Sequence, residues 1–268
     1  MATVLLLRHG RTAANAGGTL AGHQPTELDE VGRAQAAAVG ARLAAAGLVP
    51  HLVLSSPLIR CRQTVETALP DAKVIDDDRL IECDYGEWSG QPLKTLAKLP
   101  LWQVVQAHPS AAIFPGGESM ASMSARAITA IREADARAVE AHGPDAIVLA
   151  CSHGDVIKAI VADAMGLHLD LFQRLSVDPA SLTAIRYTPL RPFILRLNDV
   201  GGDLSALRPP KTHGRRSRRS ASDAEVGGGA GGDGPAAEPQ PPEAPGDAGA
   251  TGAVRGSGAF ADRIVSNT

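Results

Sequence analysis

Three apolar runs in this chain stop at residues that can handle an oxyanion. Val4–Leu7 lead without a polar break into Arg8, His9 and Gly10. "HLVL" leads into Ser55, Ser56 and Pro57, with Arg60 one helical turn further on. "AIVLAC" leads into Ser152, His153, Gly154 and Asp155. A neutral imidazole is a nucleophile, and its second nitrogen can hold a proton towards an acceptor. A guanidinium is a planar fork of donors that suits phosphate or carboxylate oxygens. Taken singly, each residue has an ordinary explanation: His9 as a loop residue, Arg60 as a surface cation, His153 as a strand cap. Their shared position at the ends of apolar runs points instead to a common site.

The elements between them must bring these ends together. A first strand is expected over Thr3–Arg8, followed by a loop rich in Gly, Thr, Asn and Pro up to about Leu28. "DEVGRAQAAAVGARLAAAG" reads as a helix with Asp29 as N-cap and Gly47 as its stop. "HLVLSS" is a second buried strand. "SPLIRCRQTVETAL" opens a helix, with Ser56 at N-cap and Pro57 at N1. "AKVIDDDRL" suggests a shorter strand, then "IECDYGEWSG" a polar loop, a helix over about 93–107 and the loop "FPGGES". A long helix follows, with its apolar stripe through Met123, Ala127, Ile131, Ala134 and Ala138. "DAIVLACS" is a third buried strand, a helix runs over about 155–165, and "SLTAIRYT" and "FILRLND" are closing strands. This alternation predicts an α/β fold: a three-layer α/β/α sandwich, its sheet mostly parallel, with helices on both faces and a small helical insertion. Ligands of open α/β sheets bind beyond the carboxyl ends of the strands. The three motifs should therefore meet at one edge, beside helix N-termini that favour anions.

Composition divides the chain into a globular part, residues 1–205, and a tail, residues 206–268, dominated by Pro, Gly, Ala, Ser and charge. Such a tail has too little apolar surface to offset the entropy of ordering and is expected to be disordered. Residues 1–205 hold 18 Lys and Arg against 22 Asp and Glu, a net of −4, so no basic field for nucleic acid covers the domain. The tail cluster "RRSRR", Arg215 to Arg219, reads as a solvated linker. Cys61, Cys83 and Cys151 lack metal-like spacing, and their sparse, odd count fits a reducing compartment. Each lies within two residues of Arg60, Glu82 or His153. Packing beside a site explains that proximity, with oxidation sensitivity as the alternative. No apolar run approaches the roughly 20 residues of a membrane helix, and no secretory signal precedes the first strand. The expectation is a cytoplasmic protein with no membrane partner.

In chain order, "LLLRHGRTAAN", "SSPLIRCRQT", "LIECDYGEWSG", "FPGGES" and "LACSHGD" resemble the motifs of the histidine phosphatase superfamily, the phosphoglycerate-mutase-like fold. The similarity runs from the first strand to about Asp155, and the tail lies outside it. The resemblance implies that His9 is the nucleophile that becomes phosphohistidine. Arg8, Arg60 and His153 would hold the phosphoryl oxygens. Asn15, the Asn of RHGxxxxN, would add a neutral hydrogen bond. Glu82, set by the register L-x-E-x-x-x-G-x-W-x-G with Gly86, Trp88 and Gly90, would be general acid and then base. Asp84 is the local competitor. Arg11, Thr12, Gly22 and His23 are candidate substrate-binding residues around the pocket, while Glu118 and Ser119 shape the start of the long helix. The RHGxRxP pattern of acid phosphatases and phytases is not met, because position 12 is Thr and position 14 is Ala.

Two arginines and a histidine neutralise a phosphoryl group without Mg²⁺, so neither metal nor other cofactor is expected. The implied partner is a small-molecule phosphomonoester. The short acid loop resembles phosphatase members, and a phosphomutase using the same phosphohistidine is the alternative. A non-catalytic phosphate-binding module is the second. Sugar phosphates, phosphoglycerates, nucleotides and α-ribazole phosphate all remain candidate substrates.

Overall fold

The computed structural model of the chain describes residues 2–202. The expected boundary at 205 and the tail beyond it lie outside the described residues. Six strands, β1 (Thr3–Arg8), β2 (Leu52–Ser55), β3 (Val74–Asp76), β4 (Ile147–Ser152), β5 (Leu182–Arg186) and β6 (Phe193–Asp199), form one sheet in the order β3-β2-β4-β1-β5-β6. The first four in that order are parallel, while β5 and β6 are antiparallel to their neighbours. The helices are α1 (Ala13–Ala16), α2 (Glu30–Ala45), α3 (Ile59–Ala68), α4 (Leu93–Leu96), α5 (Pro100–Ala107), α6 (Met120–His142) and α7 (Gly154–Ala164).

Side chains alternate across a strand, so each central strand serves two cores. Leu5, Leu7, Val53, Leu149 and Cys151 pack with Val39 and Leu43 of α2 and with Cys61 and Val65 of α3. Val4, Leu6, Leu54, Val148 and Ala150 belong to the larger core, with Met123, Ala127 and Ile131 of α6 and Ile157 and Ile160 of α7. The expected three layers are therefore present. The helical insertion lies between β3 and β4. The anticipated stripe of α6 is fully buried, with Met123, Ala127, Ile131, Ala134 and Ala138 each at most 1% exposed.

Local signals set most helix ends. Asp29 caps α2, its carboxylate accepting from Gly32 N at 2.8 Å, and Gly47 just past the helix takes a left-handed φ of +64°. Two expectations need correction. The helix expected over 93–107 is two pieces, α4 and α5, because Pro100 cannot continue α4 and instead opens α5. The helix expected to begin with Ser56 as cap and Pro57 at N1 begins at Ile59 behind Leu58, without a side-chain cap. The Ser56 hydroxyl accepts from Leu58 N only at 3.4 Å and lies closer, at 2.7 Å, to His153 Nε2.

Strand register places the chemistry. Arg8 lies opposite Ser152 across β1 and β4, and His9 N donates to Ser152 O at 3.0 Å. Ser55 lies opposite Cys151 across β2 and β4, and Ser56 N donates to Cys151 O at 2.9 Å. The residues after β1, β2 and β4 thus emerge side by side.

Candidate active site

His9 and His153 leave adjacent strands with their ring centroids 5.2 Å apart, and both are buried. His9 Nδ1 lies 2.7 Å from Gly10 O. A carbonyl only accepts, so Nδ1 carries the proton and Nε2 keeps its lone pair. Gly10 is required by a close approach: a Cβ there would stand 2.5 Å from Gly32 O of α2. The turn is also pinned from α3. Gly10 N donates to Thr64 Oγ1 at 3.0 Å, and that hydroxyl donates to Arg60 O at 2.7 Å. Burial first, then the Arg60 and Arg8 charges, hold His9 well below the usual imidazole range, outweighing its bond to Gly10. His9 is therefore a neutral imidazole, the form in which a lone pair is available for attack.

His153 stands at the N-cap position of α7, and its Nε2 lies 2.7 Å from Ser56 Oγ and 3.4 Å from Cys61 Sγ. Burial, followed by Arg60 and then His9, also holds it well below the usual imidazole range. Arg8 is fully buried and donates through Nη1 to Val177 O at 2.7 Å. Arg60 donates through Nη2 to Gly22 O at 2.8 Å and through Nη1 to Gln24 O at 3.2 Å. Its buried Nε has no hydrogen-bond partner. Two buried guanidiniums beside two neutral imidazoles leave excess positive charge, which an oxyanion would neutralise.

Glu82 closes the site from the loop after β3 and is 3% exposed. Its Oε1 accepts from Cys83 N at 3.0 Å. Burial, reinforced by the Asp155 carboxylate and opposed by Cys83 N–H, Arg60 and Arg8, pushes the Glu82 carboxyl up to about 7. Its competitor Asp84 accepts from Gly86 N at 3.0 Å and so closes its own turn.

The acid loop is held from three sides. Arg126 of α6 donates to the carbonyls of Arg79 (2.8 Å), Ile81 (2.7 Å) and Glu82 (3.1 Å). It also pairs with Glu118, which accepts from Asp84 N at 3.0 Å. Tyr85 OH donates to Asp155 Oδ2 at 2.7 Å, and Lys158 Nζ lies 3.8 Å from Asp155 Oδ1, all three side chains being buried. Gly86 and Gly117 allow the "PGG" turn to press on the acid loop, where a Cβ would come within 2.1 Å of Pro115 O and 2.2 Å of Asp84 O respectively.

His9, Arg60 and Glu82 line one pocket with Thr12, Asn15, Gly22 and Tyr85. Asn15 Oδ1 accepts from Thr12 N at 3.1 Å in a reciprocal cap of α1. Arg11 is not among the lining residues; its Nε donates to Asp29 at 2.8 Å. His23 Nε2 lies 2.7 Å from Glu82 O and so supports the acid loop. Thr64, Arg126, the Tyr85–Asp155–Lys158 cluster and the contact of Ser56 with His153 were not legible in the sequence. Only the spacing R-x-x-x-T from Arg60 to Thr64, one helical turn, carried any hint of these. Among the described residues, no three His, Cys, Asp or Glu side chains gather as a metal-binding group.

Residues 4–200 match the profile of the histidine phosphatase superfamily, branch 1. Phosphoserine phosphatase 1 of Hydrogenobacter thermophilus is 31% identical over 205 residues, covering 74% of this chain and 92% of that protein. A 2,3-bisphosphoglycerate-dependent phosphoglycerate mutase of a Methylobacterium species is 32% identical over 174 residues, covering 61% of this chain and 81% of that protein. The solved structure of a mycobacterial glucosyl-3-phosphoglycerate phosphatase superposes with a TM-score of 0.66 at 28% identity, covering 74% of this chain and 98% of that one. With the profile spanning nearly the whole described region, this chain belongs to the histidine phosphatase superfamily.

Proposed function

We propose that this protein is a phosphomonoester phosphatase working through phosphohistidine on His9. The observation that carries this reading is the His9 ring: neutral, its Nδ1 proton held by Gly10 O at 2.7 Å, its Nε2 free among buried cations. Arg8, Arg60 and His153 grip the phosphoryl oxygens, and positioned charge of this kind is worth about 10³–10⁵ in rate per arginine in other phosphoryl-transfer enzymes. His9 Nε2 attacks phosphorus, the N–P bond forms as the ester P–O bond breaks, and Glu82 gives its proton to the leaving alkoxide. Glu82, now a carboxylate, takes a proton from water whose oxygen displaces His9 from phosphorus. Inorganic phosphate leaves, and the imidazole and carboxylic acid are restored. A carboxyl at about 7 is suited to both steps near neutral pH. Thr12, Asn15 and Gly22 form the rim of the phosphoryl site, and neither metal nor cofactor takes part, so EDTA leaves turnover intact.

Among the described residues, no helix is long and apolar enough to cross a membrane. The sparse, odd cysteine count fits a reducing compartment, and on that ground we assign the enzyme to small phosphomonoesters of the cytoplasm. A phosphoenzyme trapped by rapid quench, stable in alkali, lost in acid and absent from His9→Ala, is the expected result. Full turnover by His9→Ala would refute the reading. The phosphomutase named among the relatives marks the other outcome: isomerised ester in place of free phosphate.

A further inference from the structure

We infer that the ester's organic group is uncharged, a neutral alcohol or phenol that brings neither a carboxylate nor a second phosphate into the pocket. The inference rests on the phosphatase reading of the site. The rest of the pocket lining is Ala14, Gly18, Leu20, Ala21 and Leu93, with Thr19 as a polar member. The charged lining residues are Arg60 and Glu82. Arg60 donates from Nη1 to Gln24 O and Thr26 Oγ1 and from Nη2 to Gly22 O, leaving its Nε and the second Nη2 N–H for the phosphoryl group.

The arginines nearby that lie outside the lining are engaged. Arg11 pairs with Asp29 at 2.8 Å. Arg126 is bound to Glu118 and to three carbonyls of the acid loop. The His23 ring contacts Glu82 O, and Lys94, next to Leu93, is exposed and outside the lining. Among the described residues, an anionic organic group would therefore give up its water without meeting a cation, close to the carboxylate that Glu82 becomes after proton transfer. Burying an unpaired charge is costly, whereas an apolar group gains from the same walls. The relatives named for phosphoserine and glucosyl-3-phosphoglycerate act on carboxylate-bearing esters, so the inference separates this chain from them in specificity.

The test uses two matched pairs on the full chain: glycerol 3-phosphate against 3-phosphoglycerate, and benzyl phosphate against 4-carboxybenzyl phosphate. The expected kcat/KM favours the neutral member of each pair by at least about tenfold. Leu93→Arg is expected to narrow the gap by raising turnover of the carboxylated esters. Equal or preferred hydrolysis of the carboxylated members by the unmodified chain overturns the inference and leaves the phosphatase reading standing. A chain that hydrolyses none of the four overturns the phosphatase reading itself, and the inference with it.

Discussion

Replacing Glu82 by Gln should stabilise the protein above neutral pH while removing its alkyl phosphatase activity. The carboxyl is 3% exposed and is raised from the ordinary 4.5 to about 7. At about 1.4 kcal/mol per pH unit, ionising it inside the fold costs about 3 kcal/mol. The sign follows from where each state releases the proton. Below 4.5 both folded and unfolded chains keep it, and the group has no effect on stability. Between 4.5 and 7 the unfolded chain ionises first, so the folded state loses ground. Above 7 the full penalty applies. Gln is neutral throughout, and its amide oxygen can still accept from Cys83 N. Urea unfolding of the two proteins should therefore show Glu82→Gln more stable by about 3 kcal/mol at pH 8 and by less than about 1 kcal/mol at pH 5. Turnover of an alkyl phosphate should fall by about 10²–10⁴, the usual worth of a general acid, while an ester of an acidic phenol loses far less. A stability difference independent of pH would refute the buried-acid argument, and undiminished alkyl turnover would refute the role.

Asp155→Asn removes the carboxylate that helps raise Glu82, so the alkaline limb of kcat/KM should move to lower pH; a limb that stays in place counts against the coupling. Arg126→Met leaves three carbonyls and Glu118 without their donor, and should lower kcat on alkyl phosphates more than on acidic phenol esters. An equal loss on both would show that Arg126 does not act through Glu82. Gly32→Ala puts a Cβ 2.0 Å from Arg11 O, so thermal unfolding should reveal a cost of about 1–3 kcal/mol or more, along with reduced turnover as the His9 turn shifts. Removing residues 206–268 should leave kcat/KM on small esters unchanged, which a steady-state comparison with the full chain decides.

What the sequence determined by itself was local: the strand ending at Arg8, the Asp29 cap, the stripe from Met123 to Ala138, and the three strand ends that bring His9, Ser56 and His153 to the candidate site. These are legible because backbone periodicity and capping involve residues within a few positions of one another. Tertiary structure decided which distant groups became partners. It brought the Ser56 hydroxyl to 2.7 Å from His153, 97 positions away, and left it a longer contact of 3.4 Å with Leu58 N at the helix start. It turned Arg11 to Asp29 and brought Arg126 under a loop 44 to 47 positions earlier. It also made the two closing strands antiparallel, which their apolar pattern left open. The Glu82 register was readable in the motif, but its carboxyl near 7 was not, because that value comes from burial and from the buried Asp155 carboxylate, 73 positions away in the chain. Spacing along a chain encodes direction and face, whereas desolvation and charge depend on what the fold brings into contact.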